Sequence, residues 1–232
     1  MASINDNITV DFPFDEDLKD KCENTWKITG SPVIQDTSTI PSYDGDKKLF
    51  DKAVYFNGSS MLENSSFEFG SDEFTIQFWV VFTKTGSYPF RIEKSSGSST
   101  PFLRVSDSYI AANSSSMTQY TPKCNTNVWN NMTFCYKHSD KKVHFYVNGK
   151  RIQIINTSYD SKAKYNIRVG RSASYLTGYL KHFRFYASVC LYEGDSFDIA
   201  ETYKPILHGL LSNTERAVKT NYKQVNYKVF EF

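Results

Sequence analysis

Apolar and polar side chains alternate most regularly in Phe74-Thr75-Ile76-Gln77-Phe78-Trp79-Val80-Val81-Phe82. Phe74, Ile76, Phe78, Val80 and Phe82 share one parity, and a strand puts one parity on one face. A helix would scatter the same five residues around its axis. The aromatic and β-branched content also favours a long strand. Its second parity carries Thr75, Gln77, Trp79 and Val81, a mixed set that includes a Trp. That mixture predicts a strand in the middle of a packed sheet, with its outer face partly covered or used. The phenylalanine face needs a second sheet against it.

Shorter runs of the same kind fill the rest of the chain. Ile8–Phe12, the segments around Trp26 and Val33-Ile34, and Ala53–Phe56 read as strands. Met61-Leu62, Phe67–Phe69, Phe90–Glu93, Phe102–Val105 and Tyr109–Ala112 extend the series. Met132–Tyr136 and Val143–Val147 form the clearest hairpin. Asn148-Gly149 then turns the chain into Arg151–Ile154, because Asn-Gly suits a two-residue turn. Ile167–Gly170 and Tyr179–Tyr186 close the set. Gln35–Lys48 reads as a polar loop. Helical signals are confined to Val189–Glu193 and Pro205–Arg216, where Ile206, Leu207, Leu210 and Leu211 have amphipathic spacing. Beyond them Val225, Tyr227 and Val229 alternate with polar residues and lead to Phe230 and Phe232. This strand-like tail is a candidate for docking on a neighbouring subunit's sheet edge.

Composition supports an all-β domain. The 232 residues include 18 Phe and 16 Tyr, a mix that favours strands. A chain of this length builds a large core without disulfides. Net charge is +2 and no long run of one sign occurs, which argues against a nucleic-acid surface. Met1–Asn7 lacks the basic start and apolar core of a signal peptide, so synthesis in a cytosol is expected. No apolar run reaches the roughly 20 residues of a membrane helix, so no membrane insertion is expected. The four cysteines, Cys22, Cys124, Cys135 and Cys190, form no C-x-x-C pair, which argues against zinc. Reduced thiols fit cytosolic synthesis, with a Cys124–Cys135 pairing left open.

The chain resembles the concanavalin A-like lectin/glucanase superfamily, and within it the laminin-G-like and pentraxin-like jelly rolls. The resemblance rests on ordered blocks: Phe12-Pro13-Phe14-Asp15, Ala53–Ser59, Phe74–Val80, Trp129–Thr133, Tyr146–Lys150, Val169-Gly170 and Gly178–Arg184. It implies one two-sheet antiparallel domain over residues 1–205, with an extension over 206–232. It also implies that one sheet face or its rim loops bind sugars or proteins. The short polar Met-Ala-Ser start is similar to chains encoded by phages and prophages of gut bacteria. That likeness implies a virion component, with other virion proteins or a second copy as partners beside a glycan or host-surface protein.

Two departures from the family bear on chemistry. Its frequent Gly-x-Leu-Asp-Glu reads Gly-Tyr-Leu-Lys181-His182 here, so the acidic pair is lost. Catalytic members carry Glu-x-Asp-x-x-Glu on one strand, where one acid attacks and another donates a proton. Here the nearest match, Glu193-Gly194-Asp195-Ser196-Phe197-Asp198, ends in Asp, contains Gly and lies in an expected loop. No nucleophile elbow or histidine ligand spacing appears, and His144 reads as a strand surface residue. The expected function is therefore non-catalytic binding. Sugar recognition needs flat aromatic faces and polar partners for hydroxyls. Trp79, Tyr88, Arg91, Tyr109 and Tyr120 are the candidates, with Trp79 lying beneath another segment as the competing reading. The acidic run Asp15–Lys21 reads either as a Ca²⁺ loop or as a solvated turn, which its interleaved lysines favour.

Overall fold

The alternating runs fold as strands. In the computed structural model, which describes residues 7–95, 101–113, 116–157, 159–171 and 173–203, the first are β1 (Ile8–Phe12), β2 (Lys27–Thr29), β3 (Val33–Asp36), β4 (Pro41–Ser42), β5 (Gly45–Lys48) and β6 (Lys52–Asn57). Next come β7 (Met61–Glu68), β8 (Phe74–Phe82), β9 (Phe90–Lys94), β10 (Pro101–Val105), β11 (Tyr109–Ala112) and β12 (Thr118–Gln119). The last are β13 (Asn130–Lys137), β14 (Lys142–Val147), β15 (Lys150–Asn156), β16 (Lys164–Val169) and β17 (Thr177–Ala187).

They build two antiparallel sheets. One has the order β15-β14-β13-β8-β17-β6-β3, with β1 also paired to β17; the other runs β12-β11-β10-β9-β16-β7-β2. β8 stands at the centre of the first sheet, as its sequence predicts. Phe74, Ile76, Phe78, Val80 and Phe82 join the core between the sheets with Phe90, Ile92, Phe134, Phe145 and Phe185. Face-to-face burial of such rings is the main stabilising term of a sandwich. The other parity of β8 is buried as well. Trp79 and Val81 pack there with Phe50, Ala53 and Trp129 in a second apolar cluster on the outer face. A 3₁₀ turn at Ile199–Tyr203 caps that cluster, and the Trp79 indole N–H donates to the Thr202 hydroxyl at 3.0 Å.

β17 holds this sheet together by a change of partner. Thr177–Leu180 pairs with β6, while Phe183–Tyr186 pairs with β1. The pairing to β8 shifts register between Lys181 and Arg184, and His182 takes a left-handed φ of 49°. The extra residue lets Leu180, Phe183 and Phe185 all face the core although the first two are three apart. On the outer side it leaves Lys181 and Arg184 buried. The Lys181 ammonium contacts the Asp15 carboxylate and donates to the Phe14 carbonyl at 3.3 Å. Burial holds that ammonium below the usual lysine range despite Asp15. Arg184 pairs with buried Asp11 at 3.4 Å and donates to the Thr202 carbonyl at 3.0 Å.

Several expectations need correction. Gln35–Lys48 is not a plain loop, because it contains the small β4–β5 hairpin. Val189–Glu193 is not helical; Thr75 ties it down, donating to the Val189 carbonyl and accepting from the Leu191 N–H, each at 3.0 Å. His144 is not a surface residue, being only 6% exposed. The four cysteines are unpaired, Cys124 and Cys135 included. Burial pushes the Cys124 thiol up to about 12. The acidic run is not simply solvated: Asp20 is buried, Asp17 pairs with Lys21 at 3.3 Å, and Asp15 meets Lys181. The expected helix at Pro205–Arg216, the 206–232 extension and the docking residues Val225, Tyr227, Val229, Phe230 and Phe232 lie outside the described residues. Among the described residues no helix is long and apolar enough to cross a membrane.

Candidate functional site

Three loops meet at one end of the seven-stranded sheet: residues 83–89 after β8, the turn 106–108 between β10 and β11, and residues 120–129 before β13. Asp107 fastens them together. Its carboxylate accepts the Gly86 N–H at 3.1 Å, and its carbonyl accepts the Cys124 N–H at 2.9 Å. The Ser108 carbonyl accepts the Tyr120 N–H at 3.0 Å, and the Tyr120 hydroxyl donates to the Ser106 carbonyl at 2.6 Å. The Asn127 N–H, from a left-handed residue, donates to the Phe82 carbonyl at 2.9 Å. Backbone groups in these loops thus find partners, and side chains are left to line a cleft of about 470 Å³. Tyr109, at 39% exposure, offers a ring to the cleft. Asp107, Ser108, Lys123, Asn125 and Thr126 surround it with a carboxylate, hydroxyls, an amide and an ammonium. One flat ring with several convergent polar groups matches what a sugar ring requires of a protein.

The sheet face beside this cleft is charged. The register sets Lys27 against Glu63, Glu63 against Arg168, Arg168 against Arg91, and Arg91 against Arg104. Arg104 faces Ala111, which shares the outward parity of Tyr109 on β11. Arg168 donates to Glu63 at 2.6 Å and to Glu93 at 2.5 Å, and Glu93 also pairs with Arg91. The Arg91 side chain is 15% exposed and that of Arg168 25%.

Of the five residues named from the sequence, Arg91 and Tyr109 therefore fall on one outer face. Trp79 and Tyr120 do not offer a ring to any ligand, which corrects their expected role. Trp79 lies fully buried under Phe50, Trp129 and the Thr202 turn. Tyr120 is 1% exposed and supports the cleft from within, its ring edge-on to Phe145 and burial pushing its hydroxyl well above the usual tyrosine range. Tyr88 is half-buried just before β9 and does not line the cleft. Sequence reasoning missed Asp107, Ser108, Lys123, Asn125 and Thr126. The polar triplet Ser106-Asp107-Ser108 between two strand runs was the available signal.

The acidic pair lost from β17 is not restored on that strand, where Lys181 and His182 are both buried. The near match to a catalytic motif is also accounted for. Glu193 pairs with Lys137, Asp195 with Arg151, and Asp198 accepts the Ala200 N–H at 2.8 Å.

Comparison with known proteins agrees with this architecture. Domain 4 of AbnA, a GH43 extracellular arabinanase from Geobacillus stearothermophilus solved with arabinotriose, is similar at 16% identity and a TM-score of 0.59, over 85% of this chain and 97% of that one. The receptor-binding domain of botulinum neurotoxin mosaic serotype C/D is similar at 14% identity and a TM-score of 0.54, over 87% of this chain and 51% of that one. The binding domain of botulinum neurotoxin DC in complex with SialylT is similar at 15% identity and a TM-score of 0.51, over 84% and 50%. The chain thus spans about half the length of those toxin domains. At these identities the likeness is one of fold. A search of curated protein sequences finds no match. The sequence profile of one family matches residues 53–191, and with it the chain belongs to the concanavalin A-like lectin/glucanases superfamily.

Proposed function

We propose that the protein is a non-catalytic carbohydrate-binding module, and that the cleft around Tyr109 takes the sugar. The observation that carries this reading is the meeting of an exposed tyrosine ring with Asp107, Asn125 and three hydroxyl-bearing neighbours, Thr85, Ser108 and Thr126, on loops that are themselves braced. The solved arabinotriose and SialylT complexes support it by analogy of fold. So does the pairing of Glu193 and Asp195 with surface cations, which leaves no facing pair of acids there for glycoside hydrolysis. We extend the reading to a virion setting on the sequence resemblance alone.

A glycan array probed with the full chain, with and without Ca²⁺, tests the function. Binding to a defined glycan that disappears in Tyr109→Ala and Asp107→Asn is the expected result. An empty array under both conditions overturns the reading. Dependence on Ca²⁺ would bring the acidic residues back as ligands.

A further inference from the structure

We infer that Cys135 and Cys190 are a paired oxidation site, which closes into an intramolecular disulfide when the chain meets a low-molecular-weight disulfide and so fastens the segment after β17 to β13. This does not depend on the carbohydrate-binding reading. Cys135 lies within β13, on the parity opposite the core residues Phe134 and Tyr136. It faces away from the other sheet and is nevertheless fully buried. One hydroxyl shows what lies against it. Thr75, directly opposite on β8, holds its Oγ1 3.4 Å from the Cys135 sulfur. The same oxygen is 3.0 Å from the Val189 carbonyl oxygen and 3.0 Å from the Leu191 nitrogen. It therefore touches Cys135 on one side and both chain neighbours of Cys190 on the other. The two cysteine side chains also interact directly, thiol to thiol.

The segment that carries Cys190 is braced before any bond forms. The Tyr146 hydroxyl lies 2.9 Å from both the Tyr192 and the Gly194 carbonyl oxygens, and Arg151 donates to the Glu193 carbonyl at 2.7 Å. A disulfide tolerates little backbone misplacement, so two thiols held side by side on braced segments are suited to form one. The other two cysteines have different neighbours: the Cys22 sulfur is 3.8 Å from the Ile8 carbonyl oxygen, and the Cys124 sulfur 3.8 Å from the Tyr120 hydroxyl.

Cys135 is sealed while Cys190 is half-buried, so the reagent enters at Cys190. The Cys190 thiolate attacks one sulfur of the reagent, whose S–S bond breaks and releases one thiol. The Cys135 sulfur then attacks the Cys190 sulfur of the mixed disulfide and expels the second thiol. The protein gives up two protons and two electrons, and the reagent takes up both to become two thiols. The new bond joins residues about 55 positions apart, which removes freedom from the unfolded chain.

The test reduces the full chain, removes the reductant and adds glutathione disulfide. Two of the four thiols should be lost, with a mass lower by about 2 Da and a peptide map linking Cys135 to Cys190. The thermal midpoint should rise by about 5 °C or more and return to its starting value with dithiothreitol. Cys190→Ser should fold, as its own midpoint shows, and gain nothing from the reagent. Cys22→Ser, which removes the other half-buried thiol, should still form the bond. Four thiols that all survive the reagent overturn the inference. So do a glutathione adduct on Cys190 that never resolves, a link to Cys22 or Cys124, and a bond that lowers the midpoint.

Discussion

The carboxylate of Asp20 accepts four hydrogen bonds: from the Asp11 and Cys22 N–H groups, each at 2.9 Å, from the Asn24 amide at 2.6 Å and from the Trp26 indole at 3.0 Å. Two backbone groups, one in β1 and one in the turn after it, and two side chains thus depend on one buried carboxylate. Asp20→Ala strands all four donors, and its cost should be roughly 2–4 kcal/mol, read as a shift in urea midpoint with unchanged slope. Tyr109→Ala removes a partly exposed ring that braces nothing, so it should leave stability within about 0.5 kcal/mol while removing glycan binding. The two residues mark the limit of reading side chains one at a time. Tyr109 could be named from the sequence because an outward aromatic on a short strand is visible as parity. Asp20 could not be told from its acidic neighbours, because its four donors converge from residues 11 to 26 only after the chain folds. Trp79 shows the same limit: parity placed it outside the main core, and the reading that another segment covers it is the one that holds, since Thr202, 123 positions away, lies over it.

Among the elements, β17 carries the most constraints. Gly178 has a φ of 151°, and a side chain there would lie 1.9 Å from the Val81 carbonyl oxygen, so only glycine allows β17 to close on β8. Gly178→Ala should therefore cost roughly 2 kcal/mol or more, checked by thermal or denaturant unfolding. The strands themselves were legible, since period-two alternation survives in almost every one. The irregular pieces were not. The β4–β5 hairpin is two short polar strands with no apolar stripe, and β12 is two residues long. The first is a separate two-stranded sheet tied to the Trp129 backbone, and β12 is held by its pairing to β11, so neither is specified by an apolar stripe of its own. The bulge at Lys181-His182 left a trace in the sequence, the three-residue gap between Leu180 and Phe183. That trace gains meaning only once both are known to face the core. The cleft was half legible for a related reason: strands announce their faces, but which loops share an end depends on sheet order.

At the scale of the molecule, tyrosine sets how the fold responds to alkali. Burial pushes the hydroxyls of Tyr120 and Tyr159 well above the usual tyrosine value, and raises Tyr165 and Tyr192 to about 12 from 10.0. Below about pH 10 both folded and unfolded chains keep these protons, and stability is unaffected. Above it the unfolded chain releases them while the folded chain holds them, so stability falls as pH rises. Denaturant midpoints should drop steadily from about pH 10 to about pH 12, with the tyrosinate absorbance of these buried rings appearing together with unfolding rather than before it. A midpoint that stays flat across that range would contradict the burial of these rings. The 3₁₀ turn at Ile199–Tyr203 has a consequence of another kind. Trp79 and Arg184 pin Thr202 to the back of the eight-stranded sheet. The last described residues thus lie on the side of the sandwich opposite the arginines. A change at Thr202 should therefore loosen the packing over Trp79 at the back of that sheet and leave the charged face on the far side untouched.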